Sequence, residues 1–416
     1  MKWDSDGEAN QDNSPSQKKD DNNDRGMRNV IALGVVSFFT DFSTEMVLGV
    51  LPLFVVSSLG ASRAILGTIE GSSELTSYAF RMVSGSLSDR LGKRKIFVIA
   101  GYGLSTITKP FLAASSGWLD AFAVRFGDRM GKGLRTAPRD ALIADSVHES
   151  RAGRAFGLHR TIDQLGAIVG PIVAFALLQF MDIRGIFLVS LIPGAIAVII
   201  LIFWVKEVAV KRTPSSLRKS MLANIRTVLK GNKPFVLLLT VTGLFGIGAF
   251  NFSFVLLRAT DLGVSQSVVP LVYAVINVAH TVIAYPSGIL ADKIGKEKML
   301  IVGYSVFALS SLLMLLLSGK SLYSYVIAVA FGVYTGISET MQRAVIPRYI
   351  TSELRGTAFG LYNIVAGSAF FVANIIFGFL WDGFSLNSAI SYSMITTVIA
   401  IAAMTVFVKK YSTSII

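Results

Sequence analysis

The feature that most constrains this chain is the length of its apolar runs. Between Gly185 and Trp204 the sequence reads GIFLVSLIPGAIAVIILIFW, twenty residues without a charged side chain. A helix needs about 20 apolar residues to cross the hydrocarbon core of a bilayer, and similar runs recur along the sequence. Only 16% of the 416 residues are charged, against roughly a quarter in soluble domains. The sequence therefore predicts an all-α polytopic membrane protein in contact with the lipid bilayer.

The apolar runs predict twelve membrane-spanning helices, numbered span 1 to span 12. The first six cover residues 29–57, 64–88, 95–116, 118–145, 154–180 and 184–205. The last six cover residues 235–259, 267–290, 298–318, 321–348, 356–381 and 387–408. We expect two six-helix bundles, 28–206 and 234–410, joined by a central loop at 207–233.

The two ends of the chain are predicted to be tails. Residues 1–27 are polar and lack an apolar core, which predicts a disordered segment and argues against a signal peptide. Residues 411–416 form a short C-terminal tail. Because the number of spans is even, both tails are predicted on the same side of the membrane.

Basic residues gather in the loops on one face of the predicted bundle, called here the basic face. These loops read DRLGKRK and DKIGKEK, and the central loop carries eight Lys and Arg between Lys206 and Lys233. The loops on the other side, called the opposite face, are short and weakly charged. Because Lys and Arg accumulate in cytoplasmic loops, we expect the basic face and both termini to be cytoplasmic, with the protein in the cell membrane.

The net charge of +13 thus has a topological explanation and predicts no nucleic-acid partner. The chain contains no cysteine, which excludes disulfides and thiolate metal sites.

The two halves repeat at one fixed offset. The segment GSLSDRLGKRK, starting at Gly85, aligns with GILADKIGKEK, starting at Gly288, 203 residues later. The same offset carries LGAS at 59–62 onto LGVS at 262–265, and AFGL at 155–158 onto AFGL at 358–361. Two parallel six-helix halves, related by an axis along the membrane normal, place a substrate site between them near the bilayer midplane.

The loop after span 2 resembles the signature G-x-L-x-D-R-x-G-R/K-R/K of the major facilitator superfamily of secondary transporters. The resemblance covers the chain beyond the N-terminal tail. It implies the twelve-helix fold of that family and transport by alternating access, with a monomer, a small-molecule substrate and protons as partners, no enzymatic activity and no cofactor or bound metal. It also implies gating residues in the two repeated loops, namely Gly85, Asp89, Arg90, Gly92, Asp292 and Gly295.

Span 4 carries a partial match to a second motif of the family, R-x-x-Q-G-x-G. Arg129 is present, while Lys132 replaces the Gln and Arg135 replaces the last Gly. The resemblance implies that Arg129 takes part in a proton relay. The same stretch does not fit a phosphate loop, because three residues separate Gly127 from Gly131 where four are needed, and Gly follows the Lys.

Span 5 matches the family pattern G-x8-G-x3-G-P, which is associated with antiporters. The matching residues are Gly157, Gly166, Gly170 and Pro171. This resemblance favours export by antiport. Ordinary packing is the alternative, since small residues spaced by four let two membrane helices approach closely.

Charged residues at bilayer depth are costly and usually functional, and most of them lie in the first half. They occupy single helix faces, because their spacings of three, four, seven or eleven residues match the helical repeat. The residues are Asp41 and Glu45 on span 1, Glu70, Glu74 and Arg81 on span 2, Arg125, Asp128, Arg129 and Lys132 on span 4, and His159 and Asp163 on span 5. Nearly all counterparts 203 residues later are uncharged. We therefore expect the first half to couple to protons, through Asp41, Glu45, Asp128, Arg129 and Asp163.

The substrate is predicted to lie between this charged half and polar or aromatic side chains of the second half. The expected cavity residues are Arg125, Lys132, His159, Asn251, Tyr273, Asn277, His280, Glu339 and Asn363. The leading hypothesis is proton-coupled export of a small organic compound. The alternative is transport of a charged solute, either a divalent metal cation or an organic anion.

Each of these charges also has a purely structural interpretation. Arg129 could neutralise Asp128, and Arg125 and Arg129 could pair permanently with the carboxylates of span 1. Glu70 and Glu74 could pair with Arg81, and Glu339 with Arg343 one turn away. The two histidines could serve only packing hydrogen bonds.

Overall fold

The computed structural model describes residues 15–148, 151–208, 221–351 and 354–411, with side chains from residue 26 onward except at 221–223 and 343. Within these ranges the chain is helical and contains no strand. Twelve membrane-length segments, labelled α1 to α12, correspond to the twelve predicted spans. A further helix, Met221–Gly231, lies in the predicted central loop and is called the linker helix.

The first half contains α1 to α6. Helix α1 runs over Pro15–Leu48 and continues through a short turn, Leu51–Leu53, and a π-helical turn, Phe54–Ser58. The next helices are α2 at Arg63–Leu91, α3 at Lys95–Thr108 with a 3-10 extension at Lys109–Ala114, and α4 at Trp118–Ser146. Helix α5 covers Ala152–Leu177, and α6 consists of Ile183–Val189 and Leu191–Phe203.

The second half contains α7 to α12. Helix α7 is broken into Lys233–Gly248 and Phe252–Asp261. The remaining helices are α8 at Val269–Ile294, α9 at Lys296–Leu316, α10 at Leu322–Val345, α11 at Arg355–Gly383 and α12 at Leu386–Tyr411.

The predicted fold class is confirmed. Nine segments in the described ranges are long and apolar enough to cross a membrane by length and composition alone. Helices α2, α4 and α10 are not among those nine; α2 and α4 carry Glu70, Arg125, Asp128 and Arg129, four of the buried charges of the first half.

The N-terminal boundary differs from the prediction, because α1 begins at Pro15, inside the segment 1–27 that was expected to be disordered. Extending an existing helix costs less than nucleating a new one, and proline is tolerated in a first helical turn. Of the two predicted tails, residues 1–14 and 412–416 lie outside the described chain.

The two halves meet through α2 with α11 and through α5 with α8. Backbones touch directly between α2 and α11: a Cβ on Gly67 would overlap the carbonyl of Asn374, and one on Gly378 would overlap the carbonyl of Arg63. One apolar core joins the opposite-face end of the first half, at Phe54, to the second half. The basic-face end of the first half has a separate core. The halves therefore share an apolar core at the opposite face, while the basic-face end of the first half packs as a core of its own.

A polar contact closes the opposite-face end of α2, α7 and α11. The Arg63 guanidinium donates to Asp382 at 3.3 Å, lies 3.9 Å from Asp261, and sits 4.7 Å from the ring centre of Trp381. Asp382 also accepts a hydrogen bond from the backbone N–H of Ala64 at 3.0 Å. These five residues are called the Arg63 latch, and they connect the first half to the second.

Each half carries an ion pair at its basic-face end. In the first half, Arg94 contacts Asp145 at 2.7 Å and Asp89 at 3.7 Å. The positions 203 residues after Arg94 and Asp145 are Glu297 and Arg348, which contact each other at 2.9 Å. The repeat therefore conserves the ion pair and inverts its polarity.

The buried Glu297 carboxylate also accepts a hydrogen bond from Tyr349 at 2.6 Å. Burial, together with this hydrogen bond, raises the pKa of the Tyr349 hydroxyl above its ordinary value, so the phenol remains a donor at neutral pH.

The predicted gating loops end α2 and α8 at glycines with positive φ, 64° at Gly92 and 101° at Gly295. Gly85 faces the Ala137 side chain of α4. Asp89 contacts Arg94, whereas Arg90 and Asp292 are exposed. In this conformation the ion pair of the first loop is thus made by Asp89 with Arg94.

Candidate substrate and proton site

A closed ionic network lies inside the first half, centred on Arg125. Its guanidinium donates to both carboxylate oxygens of Glu70, at 3.0 and 3.2 Å, and to Asp128 at 2.9 Å. Ser105 donates to the other oxygen of Asp128 at 2.5 Å. All four side chains are buried. Arg125 and Asp128, expected in the cavity and in the proton relay, thus join α2, α3 and α4 as a static network in this conformation.

Three further cations on α4 remain without a hydrogen-bonding partner among the described residues. Arg129 is 4% exposed, and its nearest carboxylate oxygen, on Asp128, is 4.0 Å from Nε. Arg135 is also 4% exposed and stacks over the ring of Tyr102 at 4.5 Å. Lys132, half-buried between them, contacts no carboxylate within 4.0 Å. Arg129, Lys132 and Arg135 are called the cationic strip.

Three half-buried carboxylates face the cationic strip from α1 and α2. These are Asp41, Glu45 and Glu74, and all three lie within electrostatic range of Lys132. Within the described part of the chain, none of the three has a Lys or Arg nitrogen within 4.0 Å. They are called the acidic wall. The wall and the strip therefore carry opposite charges without a direct ion pair between them, and the permanent pairing considered from the sequence is not formed here.

Two carboxylates of the acidic wall, Asp41 and Glu45, lie next to polar side chains of other helices. Asp41 lies close enough to Asp163 on α5 for the two carboxyl groups to interact electrostatically, and two neighbouring carboxylates repel each other unless one is protonated. Glu45 accepts a hydrogen bond from the hydroxyl of Tyr273 on α8 at 2.5 Å. Asp41 thus meets a second acid inside the first half, and Glu45 reaches across to the second half.

Asp163 also connects to a polar bridge between the halves. Arg160 donates to Asp163 at 3.0 Å and to Glu339 on α10 at 3.1 Å, and His280 lies 3.6 Å from Glu339. The Arg160 and Glu339 side chains are 40% and 48% exposed, so this bridge is open to solvent. The structure brings Glu339 to Arg160, and the alternative partner, Arg343, has a side chain outside the described set.

His159 and Asn251 occupy structural positions. His159 is 4% exposed and shares a hydrogen bond of 2.9 Å with Ser37, which is bonded in turn to Tyr102. The Asn251 side-chain oxygen accepts a hydrogen bond from the backbone N–H of Ser253 at 2.8 Å and so caps the second part of α7. Within the described residues, neither side chain forms a hydrogen bond with the cationic strip or the acidic wall.

The remaining predicted cavity residues come from α8 and α11. Asn277 donates to the backbone carbonyl of Ala167 at 2.8 Å, joining α8 to α5. Tyr273 stacks on Phe252 at 4.5 Å while bonding Glu45. Asn363 is half-buried on α11. Tyr273 and Asn277 therefore lie at the contact between the halves, and their role in substrate binding stays a prediction.

The glycines of span 5 bring α5 against α1. A Cβ on Gly170 would lie 2.7 Å from the Phe42 carbonyl oxygen and 3.0 Å from the Glu45 Cβ, and one on Gly166 would overlap the backbone of Phe38. Pro171 is buried beside them. Gly157 faces open space. Two of the three glycines thus set the distance between Asp163 and the carboxylates of α1.

The glycines of span 4 have a similar role. A Cβ on Gly131 would lie 2.6 Å from the Gly101 carbonyl oxygen, and one on Gly133 would lie 2.6 Å from the Ser77 carbonyl oxygen. These glycines hold α4 close to α3 and α2.

Sequence reasoning missed one buried cation. Lys109, at the end of α3, is 1% exposed and donates to the Thr44 hydroxyl at 3.1 Å. The signal was available, because Lys109 is an ionisable residue inside span 3. In the described residues, no group of three His, Cys, Asp or Glu side chains is arranged to bind a metal ion.

Comparison with known proteins agrees with this architecture. The family model described as Major Facilitator Superfamily matches residues 33–374 and 236–414. An uncharacterised MFS-type transporter of Methanocaldococcus jannaschii is 33% identical over 374 residues, covering 88% of this chain and 91% of the relative. The multidrug resistance protein MdtH of Salmonella arizonae is 23% identical over 362 residues, covering 84% of each chain.

Among solved structures, a mutant of the nucleoside transporter NupG superposes with a TM-score of 0.76 at 12% identity, covering 92% of this chain and all of that one. This likeness concerns the fold. The chain therefore belongs to the Major Facilitator Superfamily and is a multi-pass membrane transporter of that family, not an enzyme.

Proposed function

We propose that this protein is a proton-coupled exporter, an antiporter that moves a small organic compound out of the cell in exchange for protons. The observation that carries the proposal is the close packing of α5 on α1 at Gly166 and Gly170, which brings two acids, Asp41 and Asp163, near enough to interact electrostatically. One proton shared between two carboxyl groups is a site that can load and release it. The name of the relative MdtH, a multidrug resistance protein, supports export.

The proposed orientation places the basic face and both termini in the cytoplasm. The excess of Lys and Arg on that face supports this assignment. With this orientation the described conformation is closed toward the outside, because the shared apolar core and the Arg63 latch join the halves at the opposite face. The protein works as a monomer, since each chain contains both halves of the site.

The contacts suggest how proton movement follows the change in conformation. The hydrogen bond between Tyr273 and Glu45 joins α8 to α1 while the opposite face is closed. Opening that face separates the halves, breaks this bond and exposes Glu45 to the outside, where it takes up a proton as substrate leaves. Return to the inward-open state restores the bond to Tyr273 and delivers the proton toward Asp41 and Asp163, from which it passes to the cytoplasm.

A transport assay tests the proposal. Purified protein is reconstituted into liposomes with a trapped pH indicator, and compound pools are screened for proton flux under an imposed pH gradient. Asp41→Asn and Glu45→Gln should each abolish proton-coupled flux, while folded protein remains in the membrane. The matched control is Asp182→Asn on the opposite face, because asparagine preserves the cap that Asp182 provides to Gly185. Full coupled transport by both cavity variants would remove the basis of the proposal.

A further inference from the structure

The charges of the cationic strip and the acidic wall indicate which class of substrate this site could bind. Arg129 and Arg135 are each 4% exposed, and one buried guanidinium nitrogen of each, Nε of Arg129 and Nη1 of Arg135, has no hydrogen-bond partner among the described residues. Burying charged donors without acceptors is costly. Arg125, four residues before Arg129, shows the contrast, since its guanidinium is satisfied by Glu70 and Asp128. The buried donors of Arg129 and Arg135 would therefore be stabilised by a hydrogen-bond acceptor on a bound molecule.

The acidic wall provides the complementary surface. Asp41, Glu45 and Glu74 approach Lys132 closely enough to interact electrostatically, yet no carboxylate oxygen of theirs lies within 4.0 Å of a Lys or Arg nitrogen in the described ranges. If the charges served only to neutralise one another, direct ion pairs such as Arg125 with Glu70 would be expected. Opposite charges that lie near one another without forming direct ion pairs favour a bound molecule that carries both charges.

We infer that the substrate is zwitterionic, with its anionic group bound by Arg129, Lys132 and Arg135 and its cationic group bound by the acidic wall. The inference rests on the proposed function and specifies its substrate class. It also explains the direction of coupling. A substrate cation on Asp41 and Glu45 competes with protons for the same carboxylates, so loading protons expels substrate, as antiport requires. A purely anionic substrate would favour protonation of those carboxylates and would travel with protons.

Binding of matched compounds tests this inference. The probes are phenylalanine, 3-phenylpropanoate and phenethylamine, which carry both charges, the carboxylate alone and the amine alone, together with 5-aminopentanoate, pentanoate and pentylamine as a set with wider charge separation. Thermal stabilisation of the full chain is measured in phosphatidylglycerol nanodiscs at neutral pH. At least one zwitterion should bind about ten- to a hundredfold more tightly than either of its single-charge analogues, because it gains a second set of charge-assisted hydrogen bonds.

Variants assign the two ends of the compound. Arg129→Gln and Lys132→Gln should reduce zwitterion binding toward that of the amine, and Glu45→Gln toward that of the carboxylate. The control is Arg154→Gln, which neutralises an exposed arginine at the basic-face end of α5 and should leave binding unchanged. Equal binding of a zwitterion and a single-charge analogue, loss of binding in the control, or no stabilisation by either zwitterion would overturn the inference.

The same chemistry occurs in zwitterionic lipid headgroups, so one arm adds phosphatidylethanolamine to the nanodiscs. Stabilisation by this lipid that is lost in Arg129→Gln would identify the headgroup as the source of the zwitterion, while no effect would leave soluble compounds as the source. Liposome transport separates the inference from the proposed function. Zwitterion binding without pH-driven flux would contradict antiport alone, whereas pH-driven flux of uncharged compounds without zwitterion preference would contradict the inference alone.

Discussion

The Arg63 latch makes a quantitative prediction about the balance between conformations. Replacing Arg63 by Gln removes an ion pair with Asp382 at 3.3 Å, a longer one with Asp261 at 3.9 Å and the contact with Trp381. The side chains are 25–35% exposed, so the ion pairs contribute only about 1 kcal/mol together. The cation–π contact adds about 0.5–1 kcal/mol. The backbone N–H of Ala64 continues to satisfy Asp382 in the variant.

The loss of about 2 kcal/mol should shift the ratio of closed to open opposite face by roughly thirtyfold. The chain has no cysteine, so spin labels on Ser57→Cys and Ser318→Cys, both exposed on the opposite face of different halves, report the distance between the halves without background. Pulsed electron paramagnetic resonance should show a longer distance gaining population in Arg63→Gln.

The control is Lys320→Gln, which neutralises an exposed cation on the same face. An unchanged distance distribution in Arg63→Gln, or an equal shift in the control, would show that these contacts do not hold the opposite face closed.

Two further perturbations test the interior of the first half. Gly170→Ala should destabilise the protein by about 1–3 kcal/mol, because its Cβ would lie 2.7 Å from the Phe42 carbonyl oxygen; Gly157→Ala, with open space at its Cβ, should be neutral or stabilising by up to about 1 kcal/mol, and equal melting temperatures of the two variants would contradict the packing argument. Arg125→Met leaves the Glu70 and Asp128 carboxylates, 3% and 5% exposed, without their cation and should cost about 3–5 kcal/mol. Adding Glu70→Met should recover part of that loss in denaturation measurements, and an equal or greater loss in the double variant would contradict the network.

The sequence predicts much of the fold because membrane-crossing length, basic loops and an internal repeat are each properties of contiguous residues. Those signals predict the approximate sequence range of all twelve helices. They also indicate that Asp41 and Glu45 share a face and that Gly166 and Gly170 allow a close helix contact, which the structure assigns to α1 with α5.

Which arginine pairs with which carboxylate could not be predicted from the sequence in the same way. Arg125 and Arg129 lie on one face of α4 and have equal access to carboxylates by periodicity alone. The outcome depends on α2, because Glu70 reaches Arg125 and leaves Arg129 without a hydrogen bond in the described chain. The Arg63 latch depends likewise on where α7 and α11 end relative to α2, which spacing along one helix does not specify.

The inverted ion pairs at the basic face bear on how the transporter responds to membrane voltage. Rotation about the membrane normal keeps Arg94 and Glu297 at matching depths, and likewise Asp145 and Arg348, so the dipoles of the two pairs along the normal are opposite in sign. Moving one elementary charge through 100 mV changes the free energy by about 2.3 kcal/mol. When both pairs separate together, their contributions largely cancel, and this gate moves almost no net charge through the field. Any voltage dependence of transport then arises from charges that move elsewhere in the protein or with the substrate.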